Sequence, residues 1–330
     1  MIKDLLQRFS KGDRAACARL ISLIENDSPQ VQIVFDEVYG RVGRAHRIGV
    51  TGPPGAGKST LVEKMTALFR KDGQTVAIVA VDPTSPYTGG AILGDRIRMS
   101  SLFCDPGVFI RSMATRGSSG GLAFRTREVC DLLDAFGKDV IIVETIGVGQ
   151  AELDVADTAQ TTVIVLVPES GDGIQAMKAG LMEIGDLFVV NKSDRDGADR
   201  LMVEIQMMLD LRPQCEGWRP GVMRTTASAG EGVDELVRQI QGHRDYLKKY
   251  GILGRLRKDN VRSAIVDLVR QRLEEKFWEN AGIRSVLDRL AEEAAGGKMS
   301  PYQAFERLLE AREQNGMKPS TNKEQSDHVR

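Results

Sequence analysis

The densest chemistry in the chain lies in nine consecutive residues, Gly52-Pro53-Pro54-Gly55-Ala56-Gly57-Lys58-Ser59-Thr60, which spell G-x-x-x-x-G-K-[ST]. A polyphosphate carries several negative charges, so a loop that wraps it must turn backbone N–H groups inward. Glycine permits the backbone angles and the close approach, and the following helix adds the positive end of its dipole. Lys58 is placed to reach the outer phosphates and the Ser59 hydroxyl to ligate magnesium. The pattern counts only between a strand and a helix. Here Arg47-Ile48-Gly49-Val50-Thr51 precedes it, and an amphipathic run with Leu61, Val62, Met65 and Leu68 follows.

A second motif, Asn191-Lys192-Ser193-Asp194, closes an apolar run from Leu187 to Val190. N-K-x-D suits guanine. The Asp194 carboxylate can accept from the ring N1–H and the exocyclic amine, a donor pair that adenine lacks, while Asn191 and the Lys192 stem shape the pocket. Thr226-Ala227-Ser228-Ala229 follows the last strand candidate and contains an S-A pair, Ser228-Ala229, whose backbone would meet the guanine oxygen.

Between the two motifs stand the candidate metal and switch residues. Val140 to Val143 is apolar and ends in Glu144-Thr145-Ile146-Gly147, an E-x-x-G run. A carboxylate there can hold magnesium through water, and the Gly147 N–H can sense a γ-phosphate. A strand carboxylate with no such role would be costly to desolvate. Asp82 ends the second strand and Asp95 follows in Gly94-Asp95-Arg96. Both suit the magnesium site, although Asp82 could equally cap a turn and Asp95 pair with Arg96 or Arg98. The metal candidates are thus Ser59, Asp82, Asp95 and Glu144, and the catalytic candidates Lys58, Glu144 and Asp95.

The elements that must position these groups follow from periodicity. Thr75 to Val81 is almost continuously apolar, as a strand buried on both faces of a parallel sheet requires. Further strand candidates are Val108 to Met113, Val140 to Val143, Thr162 to Val167, Leu187 to Val190 and Val222 to Thr225, with helical patterns such as Leu122 to Phe136 between them. Alternation of this kind predicts an α/β fold with a mainly parallel sheet flanked by helices. The expected organisation is an N-terminal helical extension over 1–40, a P-loop domain over 41–250, a helical arm over 251–315 and a disordered polar tail over 316–330. Asp13 is a candidate helix cap. Ser300-Pro301-Tyr302-Gln303 is a candidate capping box in the arm, whose apolar stripes suit pairing with a second copy of the chain.

Composition excludes several classes. The 330 residues carry 28% charged side chains and a formal net charge of −1, so no global basic field argues for nucleic acid. No apolar run approaches the roughly 20 residues that span a bilayer. The four cysteines lack C-x-x-C spacing and the three histidines are scattered. They predict reduced thiols in a cytoplasmic protein without a His-based metal cluster or a Ser-His-Asp triad.

The runs Asp82-Pro83-Thr84-Ser85-Pro86-Tyr87-Thr88-Gly89-Gly90, Gly94-Asp95-Arg96-Ile97-Arg98-Met99, Glu144-Thr145-Ile146-Gly147-Val148-Gly149-Gln150 and Asn191-Lys192-Ser193-Asp194 resemble the methylmalonyl-CoA mutase-associated G-protein chaperones, the MeaB/ArgK family of P-loop GTPases. The resemblance implies a magnesium-dependent GTPase, usually a homodimer, that binds an adenosylcobalamin-dependent acyl-CoA mutase, gates its cofactor loading and protects or reactivates it. It also implies a further switch after Val167, where Asp172, Gln175 and Lys178 would bridge to nucleotide or partner. Two other readings compete, an ATP- or GTP-dependent kinase and a metallochaperone GTPase for nickel, cobalt or zinc. Asn191 to Asp194 argues against an ATP-dependent kinase, and the lack of a C-x-x-C or His-rich tract against the metallochaperone.

Overall fold

A computed structural model describes residues 2–82, 99, 102–114, 121–145, 151–168, 180–211, 217–279 and 281–316. The strands are β1 (His46–Thr51), β2 (Val76–Asp82), β3 (Val108–Ala114), β4 (Val140–Thr145), β5 (Thr161–Leu166), β6 (Leu187–Asn191) and β7 (Gly221–Thr225). The helices are α1 (Ile2–Ser10), α2 (Arg14–Glu25), α3 (Val31–Val38), α4 (Lys58–Lys71), α5 (Gly121–Ala135), α6 (Ala151–Thr158), α7 (Leu181–Ile184), α8 (Ala198–Asp210), α9 (Val233–Lys249), α10 (Ile252–Trp278), α11 (Ala281–Ala295) and α12 (Pro301–Gly316). The strands form one sheet in the order β3-β2-β4-β1-β5-β6-β7. Every neighbouring pair is parallel.

Both faces of that sheet are covered, which is why its strands read as unbroken apolar runs. Ala77, Val79 and Val81 of β2 and Ile141 and Val143 of β4 pack into one core with α1, α2, α3 and α5. Residues of the opposite parity, Ile78, Ile142, Ile48, Val50 and Val163, join a second core with Leu61, Val62 and Met65 of α4 and Leu236 and Ile240 of α9. A third core fills the space between β5, β6, α7 and α8. Strand parity therefore decides which helix each polar exception on β1 or β4 will meet.

The N-terminal helices are joined to the sheet by specific polar contacts. The Asp13 carboxylate caps α2, accepting from the N–H groups of Ala15 at 2.8 Å and Ala16 at 3.2 Å. Arg111 of β3 donates through Nε to Glu25 of α2 at 2.9 Å.

The chain divides into two compact units, Met1–Ala264 and Ile265–Arg330. The second has a small core of Ile283, Leu290 and Leu308, supported by Phe277 and Trp278. The capping box forms there as expected: the Ser300 N–H donates to Gln303 Oε1 at 2.9 Å and the Gln303 N–H to Ser300 Oγ at 3.2 Å. Among the described residues no helix is long and apolar enough to cross a membrane.

At the start of the sheet two buried histidines share one hydroxyl. His46 Nε2 lies 2.8 Å and His243 Nδ1 2.9 Å from Thr161 Oγ1. The hydroxyl donates to one ring and accepts from the other, so both rings are satisfied while neutral. Burial pushes His46 down to about 3, helped by the positive charges of Arg244, His243 and Lys248, and burial alone pushes His243 down to about 4. An unfolded chain binds protons at these rings near pH 6.5, well before the folded one does. Their contribution is therefore complete above pH 6.5 and is lost as pH falls towards 4. Each pH step of one across that window removes roughly 1.4 kcal/mol for each ring. Urea unfolding from pH 7 to pH 4 should show a loss of about 6 kcal/mol from the two rings together, and His243→Gln should roughly halve that dependence. An unchanged slope would contradict it.

Candidate functional site

The candidate site lies along the carboxyl ends of the parallel strands, where an open α/β sheet binds its ligands. The loop after β1 runs through Gly52 to Gly57 into α4. Two of its glycines are sterically required. Gly52 has φ 138°, and a Cβ there would sit 2.0 Å from the Val165 carbonyl oxygen of β5. Gly57 has φ 85°, and its Cβ would sit 2.4 Å from Asn191 Nδ2. The loop crest at Pro54 and Gly55 is exposed, whereas Ala56 and Lys58 are buried. The Lys58 ammonium donates to the carbonyls of Gly52 at 2.7 Å and Pro53 at 2.9 Å. These bonds hold it across the mouth of its own loop.

Glu144 reaches the loop because of strand parity. It shares the parity of Val140 and Ile142, which face α4, so it points to the first turn of that helix. The Ser59 hydroxyl donates to its Oε1 at 2.5 Å, and Glu144 is only 5% exposed. Beside it, Thr51 and Thr145 join the ends of β1 and β4 through their hydroxyls at 2.9 Å. Asp82 ends β2 two residues beyond Ala80, whose register partner is Glu144. The Asp82 side chain, Asp95, Gly147, Asp172, Gln175 and Lys178 lie outside the described residues. A hydroxyl and a carboxylate are the hard oxygen donors magnesium prefers, and magnesium typically takes only one or two protein ligands beside substrate phosphates. Ser59 and Glu144 fit that donor set.

The base-side motif is built around Asn191. Its Nδ2 donates to the Ala56 carbonyl at 2.7 Å, and its Oδ1 accepts from Thr225 Oγ1 and the Ala227 N–H, both at 3.0 Å. One buried amide thus ties the phosphate loop, the end of β6 and the loop after β7. Lys192 has φ 54°, a left-handed backbone that costs a non-glycine residue strain and tends to occur at functional sites. Asp194 is exposed, and no group among the described residues bonds its carboxylate. The loop after β7 is a tight turn closed by the Thr226–Glu231 bridge, with Ser228 and Ala229 at its exposed tip. From this loop, Thr225, Ala227 and Thr226 bond the N-K-x-D motif, the Thr226 hydroxyl lying 3.2 Å from Ser193 Oγ. Sequence reasoning passed over that trio. Its signal was the Thr-Thr-Ala run directly at the strand end.

Compared with known proteins, the chain matches the model of the methylmalonyl Co-A mutase-associated GTPase MeaB over residues 17–282. It belongs to the MeaB family. GTPase ArgK of Escherichia coli is 36% identical over 87% of the chain and 88% of its own length. A protein of Pyrococcus horikoshii with a GTPase name is 46% identical over 94% of the chain and 98% of its length. The mitochondrial methylmalonic aciduria type A homolog of Caenorhabditis elegans is 34% identical over 93% and 82%. A solved structure described as LAO/AO transport system kinase superposes with a TM-score of 0.71 at 28% identity, over 94% and 97% of the two chains. The chain is thus a P-loop GTPase that binds guanine nucleotide and hydrolyses GTP.

The Asn191 amide makes three bonds, each worth about 1 kcal/mol net when buried. Asn191→Ala should therefore destabilise the fold by about 2–3 kcal/mol in urea unfolding and weaken GDP binding at least tenfold. Loss of stability with unaltered GDP affinity would show that the amide does not position the loop.

Proposed function

We propose that the chain is a magnesium-dependent GTPase whose nucleotide state controls an adenosylcobalamin-dependent acyl-CoA mutase, gating cofactor loading and protecting or reactivating that enzyme. The observation that carries the mutase reading is the family match over residues 17–282, together with the likeness to the methylmalonic aciduria type A homolog. On this reading Gly52 to Thr60 wraps the phosphates, and Lys58 leaves the Gly52 and Pro53 carbonyls to meet them. Asp194, exposed beside the strained Lys192, reads the guanine, and Asn191 holds that reader at a fixed distance from the phosphate loop. The loop of Thr226 and Ala227 closes the base pocket, with Ser228 and Ala229 beyond it.

Ser59 and Glu144 would hold magnesium, with Asp82 and Asp95 completing its surroundings. The ion, when bound, neutralises charge that develops on the phosphates. The 2.5 Å bond between Ser59 and Glu144 keeps both oxygens at the mouth of α4 before nucleotide arrives. No glutamine that could orient the attacking water directly follows Gly147, Gln150 lying three residues on, so turnover is slow until the partner engages the switch residues Gly147, Asp172, Gln175 and Lys178. Groups supplied in this way by partners accelerate other GTPases by about 10³ to 10⁵. The description of the solved neighbour as a kinase keeps phosphoryl transfer to an acceptor as a second reading.

In the second unit, Ile265, Leu268, Val269 and Leu273 of α10 are exposed along one stripe, at 51% to 64%. So large an apolar row is better covered than wetted, which supports a homodimer through this arm. Sedimentation should give a dimer, and Leu268→Glu with Leu273→Glu should give monomers that still bind GDP. A monomeric parent protein would end the dimer reading.

Asp194→Asn should move preference from GTP towards XTP, with at least a hundredfold loss for GTP, and ATP should compete poorly against the parent protein. Addition of a methylmalonyl-CoA-type mutase should raise GTP turnover by tenfold or more. Equal turnover with and without the mutase would remove the partner reading while leaving the base reading intact. Stoichiometric labelling of an acceptor from γ-labelled GTP would favour the kinase.

A further inference from the structure

The strongest unassigned feature is a cavity at the amino ends of the strands, opposite the phosphate loop. It encloses about 280 Å³ between the segment entering β1, α5, α9 and the first half of α10, all within residues 1–264. Ala45 and Arg47 line it at the start of β1, whereas the phosphate loop follows the far end of that six-residue strand. At about 3.3 Å per residue the two sites are roughly 17 Å apart.

Six cationic side chains line this cavity, Arg44, Arg47, Arg127, Arg244, Lys248 and Arg257, against two carboxylates, Asp131 and Asp134. Both carboxylates are already engaged. Asp131 accepts from Arg47 at 2.5 Å. Asp134, itself buried, accepts from the N–H groups of Gly43, Arg44 and Ala45 at 2.7 to 3.1 Å and lies 3.5 Å from Arg47. Arg47 is thereby neutralised. No carboxylate among the described residues pairs with Arg44, Arg244, Lys248 or Arg257, although Arg244 and Arg257 brace the entering segment by donating to the carbonyls of Arg44 at 3.2 Å and Val42 at 2.9 Å. The excess positive charge is felt inside the protein, since Arg244 and Lys248 both contribute to the lowered pKa of buried His46.

We infer that this cavity binds a compact phosphorylated metabolite, a diphosphate or a phosphate ester, independently of the nucleotide in the phosphate loop. The volume lies just under the roughly 300 Å³ at which pockets for drug-sized ligands begin, so a whole nucleotide is a poor fit and a small polyanion a good one. Cations reach the cavity from three separate elements: the entering segment (Arg44), α9 (Arg244, Lys248) and α10 (Arg257). A carboxylate is planar and is satisfied by a single guanidinium fork, whereas a tetrahedral phosphate offers acceptors in several directions at once. The arrangement matches phosphate.

The test titrates inorganic pyrophosphate into the full chain saturated with GDP, so that the phosphate loop is filled, using calorimetry in magnesium-free buffer. One equivalent should bind, more weakly as KCl is raised. Arg244→Ala with Lys248→Ala should weaken pyrophosphate at least tenfold and leave GDP affinity within twofold. Lys248→Glu is the safeguard against misfolding, because Lys248 is exposed and its replacement breaks no hydrogen bond among the described residues. It should weaken pyrophosphate by a similar factor. Failure of the GDP-filled protein to bind pyrophosphate saturably, or equal binding by Lys248→Glu, would overturn the assignment. GDP affinity, read separately, reports on the nucleotide site alone.

Discussion

A single buried amide sets the geometry of the candidate nucleotide site. Asn191 donates to the phosphate loop at Ala56 and accepts from Thr225 and Ala227, so three loops from β1, β6 and β7 have one common reference point. A nucleotide spans the distance between its base and its phosphates with little give. Two loops that recognise its two ends must therefore be held at a fixed separation, or binding energy is lost in ordering them. The glycine at 57 belongs to the same constraint, because its missing Cβ is the space that the Asn191 amide occupies. Neither residue would do its work without the other.

The sheet supplies the second requirement, which is direction. In β4 the alternation that sends Ile141 and Val143 to one core and Val140 and Ile142 to the other also sends Glu144 towards α4. A shift of one residue in register would aim that carboxylate into the opposite core and away from Ser59. The paired register of β4 with β1 and β2 along five and six residues respectively makes such a slip expensive. The position of a candidate metal-side oxygen is thus secured by apolar burial several residues away, and not by polar contacts alone.

Much of this was legible in the linear chain, for definite reasons. The strands were readable because a parallel sheet buried on both faces leaves continuous apolar runs, and β2 through β7 emerged within a residue or two of their expected ends. The phosphate loop and the N-K-x-D motif were readable because their residue types and spacing are dictated by ligand chemistry. The role of Thr225 to Ala227 was not, since it depends on how a turn after β7 folds back onto Asn191, and Ser228-Ala229 offered a more familiar pattern two residues on. The cationic cavity was hidden more deeply. Its lining is gathered from residues 39 to 264, and only the fold brings Arg44, Arg244, Lys248 and Arg257 together.

The two ends of β1 impose opposite electrostatic solutions on one strand. At its carboxyl end, the buried Lys58 ammonium is satisfied by the carbonyls of Gly52 and Pro53 in its own loop. At its amino end, buried Arg47 is neutralised by Asp131 and Asp134, while burial keeps His46 and His243 neutral, with Arg244 and Lys248 adding to the effect on His46. A charge buried without such a partner would cost several kcal/mol. Arg47 therefore belongs to the scaffold, while Arg244, Lys248 and Arg257 bring charge to the cavity wall that no carboxylate among the described residues balances. The fold tolerates that excess because these side chains reach solvent, which screens them until an anion takes its place.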